Sequence, residues 1–568
     1  MKNNMKNSVK NTAKSTTKNN IKITPIGGLG EIGMNMMVIE YGKDAIIVDC
    51  GVMFADAQLP GVDLLIPNFT YLRETKLNIH AVIITHGHED HVGALPYLLF
   101  EKNVPVYGSR FTMAILKRKL EEFAMKEKTK LHTVKDEQRI SVGPFDIEFI
   151  RMSHSISDAM GLAIDTPMGT IIHTGDFKID QNPADGRKTD MKKFEQLGKK
   201  GVLLLLSDST NVEVPGHSLS ESSVKSGIED LLKSTKGWFI LCSFASHIPR
   251  IQQVLELATM NNRKVYPVGR SMVQNIALAK QLGYLDFPDS LILDSSELKR
   301  TRRDRVAVLS TGSQGEARSA LARMAVGEHK ELALQKGDSV VFSSRFIPGN
   351  EKNIYSMMNN CCRRGAEVFT NTGSDIHVSG HAYKEDLRDM LLAIKPKFFI
   401  PVHGEYRHLV HHVQLAQEVG MSEKNTMLLE NGEPVMIFAD HMKKLAPIDV
   451  TKVAVDGLEY VNVDSDVVRD RRRLSEAGTI CIGVTIDHDS GEVLKKPVFK
   501  TRGICSDERM IALSASLREA IVDSVDRVTR KPKYTHEKLE EEIRVATRRF
   551  FYDELQRKPV VMPFIVQV

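Results

Sequence analysis

An α/β fold built from several domains is what this sequence predicts, and three observations predict it. Apolar strands stop repeatedly at short loops holding His or Asp, which is how a sheet scaffold presents a site along one rim. From about residue 216 strands and helices alternate in the manner of a parallel α/β unit. At 568 residues the chain is too long for one hydrophobic core, and two to four domains are expected.

The most informative strand is Ala81-Val82-Ile83-Ile84, a β-branched run expected to be buried. It leads into Thr85-His86-Gly87-His88-Glu89-Asp90-His91, and helical spacing resumes at Val92. One His in such a loop would be an ordinary solvated residue. Four ligand-capable groups in the pattern His-x-His-x-Asp-His point instead to zinc or a similar divalent metal, because imidazole nitrogen and carboxylate oxygen both suit such ions.

Upstream, Gly28-Leu29-Gly30-Glu31-Ile32-Gly33 matches the dinucleotide-binding fingerprint, with Asp49 near the place of its ribose-binding acid. The context excludes that reading. Residues 36–40 and 45–49 look like two strands joined by a turn, so no helix N-terminus follows to hold a pyrophosphate.

Downstream, a charged helix is expected over 113–128. The strand 145–151 ends at Met152-Ser153-His154-Ser155. Strands 161–165 and 170–173 deliver Thr174-Gly175-Asp176-Phe177, and 202–206 stops at Ser207-Asp208-Ser209-Thr210-Asn211. Strands at 238–242, 264–268, 306–309, 340–342 and 367–369 then alternate with helices at 249–260 and 272–282. Their loops, at 243–247, 269–271, 311–315 and 343–350, are rich in small and hydroxyl residues, which leave backbone N–H groups free to face phosphates. Asp375-Ile376-His377-Val378-Ser379-Gly380-His381 precedes a helix, and the strand 398–400 leads to Pro401-Val402-His403-Gly404-Glu405. After about residue 454 a tail domain opens. Its arginines 469–473 are expected on a solvated face, with strands near 480–486 and helices near 518–530 and 538–557.

Composition narrows the function classes. Hydrophobic content of 42% and charged content of 26% are those of a soluble globular chain. The six cysteines contain no Cys-x-x-Cys pair, which argues against a disulfide framework or thiolate zinc finger and fits a reducing cytoplasm. No apolar run approaches the roughly 20 residues of a membrane span. Residues 1–20 carry five lysines and no acid, a disordered basic tail rather than a secretory signal. That tail accounts for the whole formal charge of +5, so the remainder sums to zero. Overall basicity is therefore no argument for nucleic-acid binding by the body of the chain.

Taken together, His86-x-His88-x-Asp90-His91, His154, Asp176 in Gly-Asp-Phe and His403 in Val-His-Gly-Glu resemble the ordered ligand motifs of the metallo-β-lactamase fold. The long interval from Asp176 to His403, holding the α/β unit, is similar to the β-CASP nucleases. Gly27–Gly33, Ser207–Asn211 and His377–His381 narrow the resemblance to the bacterial ribonuclease J group over about residues 22–568. The resemblance implies an αββα metallo-β-lactamase sandwich at 21–215 and 373–452, an inserted parallel β-CASP domain at 216–372, and a small α+β oligomerisation domain at 453–568. It implies two divalent ions, zinc first and manganese or magnesium as alternatives. His86, His88 and His154 would hold one, Asp90, His91 and His403 the other, with Asp176 bridging. Asp90 would orient the nucleophile, His381 would assist proton transfer, and Asp208 would orient neighbouring histidines.

The implied substrate is single-stranded RNA, shortened from a 5′-monophosphate end and also cut internally, in mRNA decay and rRNA processing. Ser246, His247, Ile248, His377, Val378, Ser379 and Gly380, beside His381, would form the terminal-phosphate pocket. His247 departs from the family pattern, which has Asn there. The resemblance further implies a structural calcium at Asp63 and Asp456, a homodimer or homotetramer, an RNA helicase or ribosomes as partners, a cytoplasmic location and no membrane. Two alternatives compete. A small-molecule hydrolase would need no second wall of inserted domain, and an inactive RNA-binding scaffold would need no intact ligand set.

Overall fold

Two sheets face each other because their strands alternate apolar residues between two buried surfaces. In the computed structural model, which describes residues 20–55, 59–347, 349–371, 375–457, 459–530 and 534–568, the first sheet has eight strands. Their order is Met442–Lys444, Val435–Ile437, Ile21–Gly27, Met36–Tyr41, Asp44–Val48, Asn78–Ile83, Val106–Ser109 and Leu131–Val134. The second has six: Arg139–Val142, Phe145–Arg151, Met160–Thr166, Gly169–His173, Leu204–Asp208 and Phe398–Val402. Ile21, Ile39, Ile46 and Ile83 meet Phe145, Phe149, Leu162, Leu204 and Leu206 between the sheets. Leu205, pointing the other way, packs with Phe194, Leu391 and Leu415 of the helices Met191–Lys200, Lys384–Ile394 and Tyr406–Glu418. The expected basic tail lies outside the described residues but for Asn20.

Between Leu204–Asp208 and Phe398–Val402 the chain makes a five-stranded, all-parallel sheet. Its order is Lys264–Val268, Val306–Ser310, Phe239–Cys242, Ser339–Phe342 and Glu367–Phe369. Both faces are covered, as parallel sheets require. Phe239, Leu241 and Leu309 pack on Ile251, Val254 and Met272, whereas Ile240, Val308 and Phe342 pack on Leu321, Met324 and Ile354.

A second compact unit combines Phe54–Leu65 with Thr451–Val568. In it, Thr479–Ile486 pairs antiparallel with Val493–Arg502 and parallel with Val560–Gln567. Every second residue of that central strand, Ile480, Ile482, Val484 and Ile486, is buried against Leu517, Ile521, Ile543 and Phe551 of the helices Asp507–Thr529 and His536–Leu555. Among the described residues no helix is long and apolar enough to cross a membrane.

Two expected elements shift, and the arginine run is resolved. The helix expected over 113–128 is Arg110–Glu122, because Ala124 adopts a left-handed backbone (φ 54°) that ends it. The helix expected from 518 begins at Asp507, where the Ser506 side chain accepts from the Arg509 N–H as a cap. Arginines 469–473 lie on the helix Asp466–Ala477, where Arg469 and Arg473 pair with Asp466 and Asp470 on an exposed face, while Arg471 pairs with Asp456.

Phe149 is fully buried between the two large sheets. Phe149→Ala is expected to destabilise the protein by about 3–5 kcal/mol, seen as a lower urea midpoint with the secondary structure retained below it.

Candidate metal centre

The strand Asn78–Ile83 runs into the loop that carries His86 and His88, and the short helix Glu89–Val92 turns Asp90 and His91 back toward it. Backbone N–H groups of Asn35, Cys50 and Val52 grip that helix through the carbonyls of Asp90, His91 and Glu89, at 2.9, 2.8 and 3.0 Å. The approach is so close that a Cβ on Gly51 would fall 1.7 Å from the Asp90 carbonyl oxygen. His154, Asp176, Asp208 and His403 arrive from four strand ends of the six-stranded sheet. His403 and Asp49 hold left-handed backbone, φ 53° and 59°, the kind of strain that a surrounding site must hold in place.

Three overlapping groups of donors result. His86 Nε2 and His154 Nε2 lie 3.0 and 3.3 Å from His88 Nδ1. Asp90, His91, Asp176 and His403 form the second group. Asp176 Oδ2 belongs to the second group and to a third, with Asp208, His381 and His403, and it also faces the first: it lies 3.3 Å from His91 Nε2, 3.6 Å from His403 Nε2, 3.7 Å from His86 Nε2 and 3.8 Å from His154 Nε2. Its other oxygen, Oδ1, is buried with no hydrogen-bond partner among the described residues.

The outer nitrogens are committed. His154 Nδ1 donates to the Gly380 carbonyl at 2.8 Å, and His91 Nδ1 lies 2.8 Å from Asp49 Oδ2. Asp49 also accepts from the Thr85 N–H and hydroxyl, both at 2.8 Å. Asp208 serves two rings, His381 Nδ1 at 2.8 Å and His403 Nδ1 at 3.4 Å, and the Thr210 hydroxyl stands 2.7 Å from His403 Nδ1. Fixing the outer nitrogen leaves the inner one aimed at the centre.

The electrostatics suit a cation. Burial pushes His86 and His154 well below the ordinary imidazole range and His88 down to about 4, so their rings are neutral, with a lone pair each, at pH 7. Burial pulls the same way at His91 and His403. There the carboxylates of Asp176, Asp90, Asp49 and Asp208 outweigh it and hold both rings well above their usual range. Asp90 and Asp176 are kept ionised, their imidazole neighbours outweighing burial. A carboxylate field that favours protons on these rings also favours a divalent ion among them, and the donor set fits divalent metal binding.

The chain matches four family models in order along its length: "Metallo-beta-lactamase superfamily" over 29–229, "Ribonuclease J, beta-CASP domain" over 236–361, "Zn-dependent metallo-hydrolase RNA specificity domain" over 374–428, and "Ribonuclease J C-terminal domain" over 466–568. It is 36% identical over 549 residues to the protein named Ribonuclease J2 of Bacillus subtilis, an alignment covering 97% of this chain and 99% of that one. The chain belongs to the ribonuclease J family. Ribonuclease J of Helicobacter pylori strain J99 is 39% identical over 96% of this chain and 79% of its own length. As in the ribonuclease J family models, a metallo-β-lactamase fold is interrupted by a β-CASP insertion, here the five-stranded sheet, and followed by the C-terminal domain. A solved structure from Enterococcus faecalis V583, titled as a protein of unknown function, is similar in fold alone, with a TM-score of 0.52 at 18% identity, covering 73% of this chain and all of that one.

Other expected positions fall as follows. His381 stands beside the cluster, its ring stacked on His403 at 5.3 Å and edge-on to His154 at 5.0 Å between centroids. Ser379 accepts from the Asn211 side-chain amide at 2.8 Å and from the His381 N–H at 3.2 Å. Ile248 and Val378 turn their side chains into the core, and the Ile248 N–H is taken by the Ser246 carbonyl at 2.8 Å. His247 is buried at the N-terminus of the helix Ile248–Met260, and Gly380 lies against the His154 ring. Of the pair expected to hold calcium, Asp456 is ion-paired with Arg471, and Asp63 accepts from the Gly457 N–H at 3.3 Å. Asp49 and Thr210 were missed as supports, although Asp49 ends a strand just as the recognised ligands do.

A Cβ on Gly380 would sit 2.9 Å from His154 Cε1 and Nδ1. Gly380→Ala is therefore expected to displace that ring and weaken zinc binding by about 10–100-fold, the usual cost of disturbing a ligand's outer partner, measured by competition with a chromogenic chelator.

Proposed function

We propose that this ribonuclease J family member is a metal-dependent ribonuclease that removes nucleotides from RNA bearing a 5′ monophosphate and also cuts internally, in mRNA decay and rRNA processing. The observation that carries the reading is the single Asp176 oxygen facing four imidazole nitrogens. One buried carboxylate shared in this way is what two adjacent divalent ions need as a bridge. His86, His88 and His154 would hold one ion, and Asp90, His91 and His403 the other. The nitrogen-rich donor set favours zinc, with manganese or magnesium as alternatives. Bound there, the ions would lower the pKa of a water and neutralise charge on the phosphodiester.

The chain's own groups supply the rest. Asp90, which lies 3.7 and 3.5 Å from the rings of His91 and His403, would orient the nucleophile. His381 gives Nδ1 to Asp208, so its Nε2 is the nitrogen free to pass a proton to the leaving oxygen. Asp208 positions rather than reacts. Burial would raise its carboxyl, but His381 and His403 outweigh that and keep it ionised at any working pH. Ser246, His247, Ile248, His377, Val378, Ser379 and Gly380 would hold the 5′ phosphate a fixed distance from the ions and so select the first linkage. Free cysteines throughout support a cytoplasmic setting, and assembly through the C-terminal domain belongs to the same reading. A small-molecule hydrolase would need no inserted five-stranded sheet, and an inert scaffold would need no intact donor set.

His88→Ala is expected to lose bound metal and mononucleotide release together. His381→Ala should keep its metal and lose about 10²–10⁴-fold in kcat. Release that survives in the His88 variant would sink the assignment.

One labelled RNA carrying a 5′ hydroxyl, monophosphate or triphosphate tests the end preference. The monophosphate form should be degraded fastest from its end. Equal rates on all three would remove the terminal pocket from the reading while leaving the metal chemistry intact.

A further inference from the structure

Among the described residues the largest fully buried side chain is that of Arg250, on the helix Ile248–Met260. A guanidinium leaves water at heavy cost unless it is paired and hydrogen-bonded. Arg250 is both. Nε donates to Glu221 Oε1 at 2.8 Å and Nη2 stands 2.6 Å from the same oxygen. Nη1 donates to the Ile376 carbonyl at 2.8 Å and to the Ser343 hydroxyl, which itself donates to Ile376 at 2.7 Å. Glu221 is anchored in turn by its N–H to Asp180 Oδ2 at 2.8 Å. One side chain thus ties its own helix to the turn Glu221–Ser223, to the residue following the strand Ser339–Phe342, and to the loop that carries residues 376–381.

Two histidines depend on this tie. The Arg250 N–H points at His247 Nδ1, 3.4 Å away, which places the ring hydrogen of His247 on Nε2. Ile376, whose carbonyl Arg250 holds, immediately precedes His377. His247 Nε2 and His377 Nδ1 are both buried without a hydrogen-bond partner among the described residues, and the nearest carboxylate oxygen recorded for His247 Nε2, Glu221 Oε1, is 3.5 Å away. Arg250 Nη2, ion-paired with Glu221, also lacks a hydrogen-bond partner among the described residues; leftover buried ring nitrogens beside such a cation mark where an anion binds.

We propose that Arg250 is a positioning residue for 5′-end recognition: without touching RNA, it fixes the 376–381 loop against the turn at His247 so that the two free ring nitrogens close on the terminal phosphate. The proposal rests on the phosphate-pocket reading above. It assigns a role that lysine cannot fill, because one ammonium cannot span Glu221, Ser343 and Ile376 as a planar fork does.

The test compares wild type, Arg250→Lys and Ser343→Ala on matched RNAs with a 5′ monophosphate or a 5′ hydroxyl, with bound zinc and thermal unfolding measured alongside. For Arg250→Lys, KM on the monophosphate RNA should rise about tenfold, the scale of one misplaced charge-assisted contact. Its kcat, its bound zinc and its rate on the hydroxyl RNA should stay near wild type. Ser343→Ala should shift the same KM in the same direction by less, and it keeps the question open to measurement if the lysine variant does not fold. An equal loss on both RNAs, a loss of zinc, or an unchanged end preference would overturn the proposal and leave Arg250 a purely structural residue. Absence of any end preference in wild type would instead overturn the pocket reading itself.

Discussion

The architecture around the site depends on one electrostatic constraint, a carboxylate at Asp176 that is nearly inaccessible to water and faces four imidazoles. A buried anion of this kind is tolerable only with compensating positive charge. Everything nearby is arranged to bring that charge in. Asp49, Thr210, Asp208 and the Gly380 carbonyl hold the outer edges of the rings, and the inner edges are left pointing at a common centre. The two facing sheets provide the rigidity that such convergence needs, since the ligands arrive from strand ends whose spacing the hydrogen-bond ladders fix.

Around this centre the polar partners form two shells with different tasks. The inner shell holds neutral rings on the His88 side and, on the Asp90 side, ionised carboxylates paired with imidazoles whose protonation they favour, an asymmetry that distinguishes the two halves before any ion is considered. The outer shell includes residues from the inserted segment. Arg345, beyond the strand Ser339–Phe342, reaches the Asn211 side chain, which in turn bonds Ser379 and the His381 carbonyl. The insertion is therefore wired to the loop that carries His381 as well as packed beside it.

Much of this was legible in the chain because ligand types sit at strand C-termini, where a short-range pattern of β-branched residues followed by His or Asp is easily seen. The 85–91 loop and the strands at 145–151 and 264–268 needed no tertiary information. The supports were less visible for a physical reason. Asp49 and His91 are 42 residues apart, and Thr210 and His403 are 193 apart, so no local pattern joins them. The contact of Asp456 with Arg471 was hidden for the same reason. Two acids that the family resemblance paired around an ion leave out Arg471, which reaches Asp456 from a helix whose orientation only the folded chain reveals. The strands Val493–Arg502 and Val560–Gln567 escaped notice because each is largely exposed on one face, and lysines and a proline interrupt their alternation.

The strand order of the six-stranded sheet has a consequence for biosynthesis. Leu204–Asp208 pairs directly with Phe398–Val402, and Ile21–Gly27 pairs with Val435–Ile437. On a ribosome the early strands of this sandwich must wait, edges exposed, while the whole five-stranded insertion is translated. His403 emerges only after that interval, so a nascent or prematurely terminated chain lacks both the closing strand and one wall of the cation site. A nuclease encoded in this order has no complete centre until residue 403 of its 568 has been made.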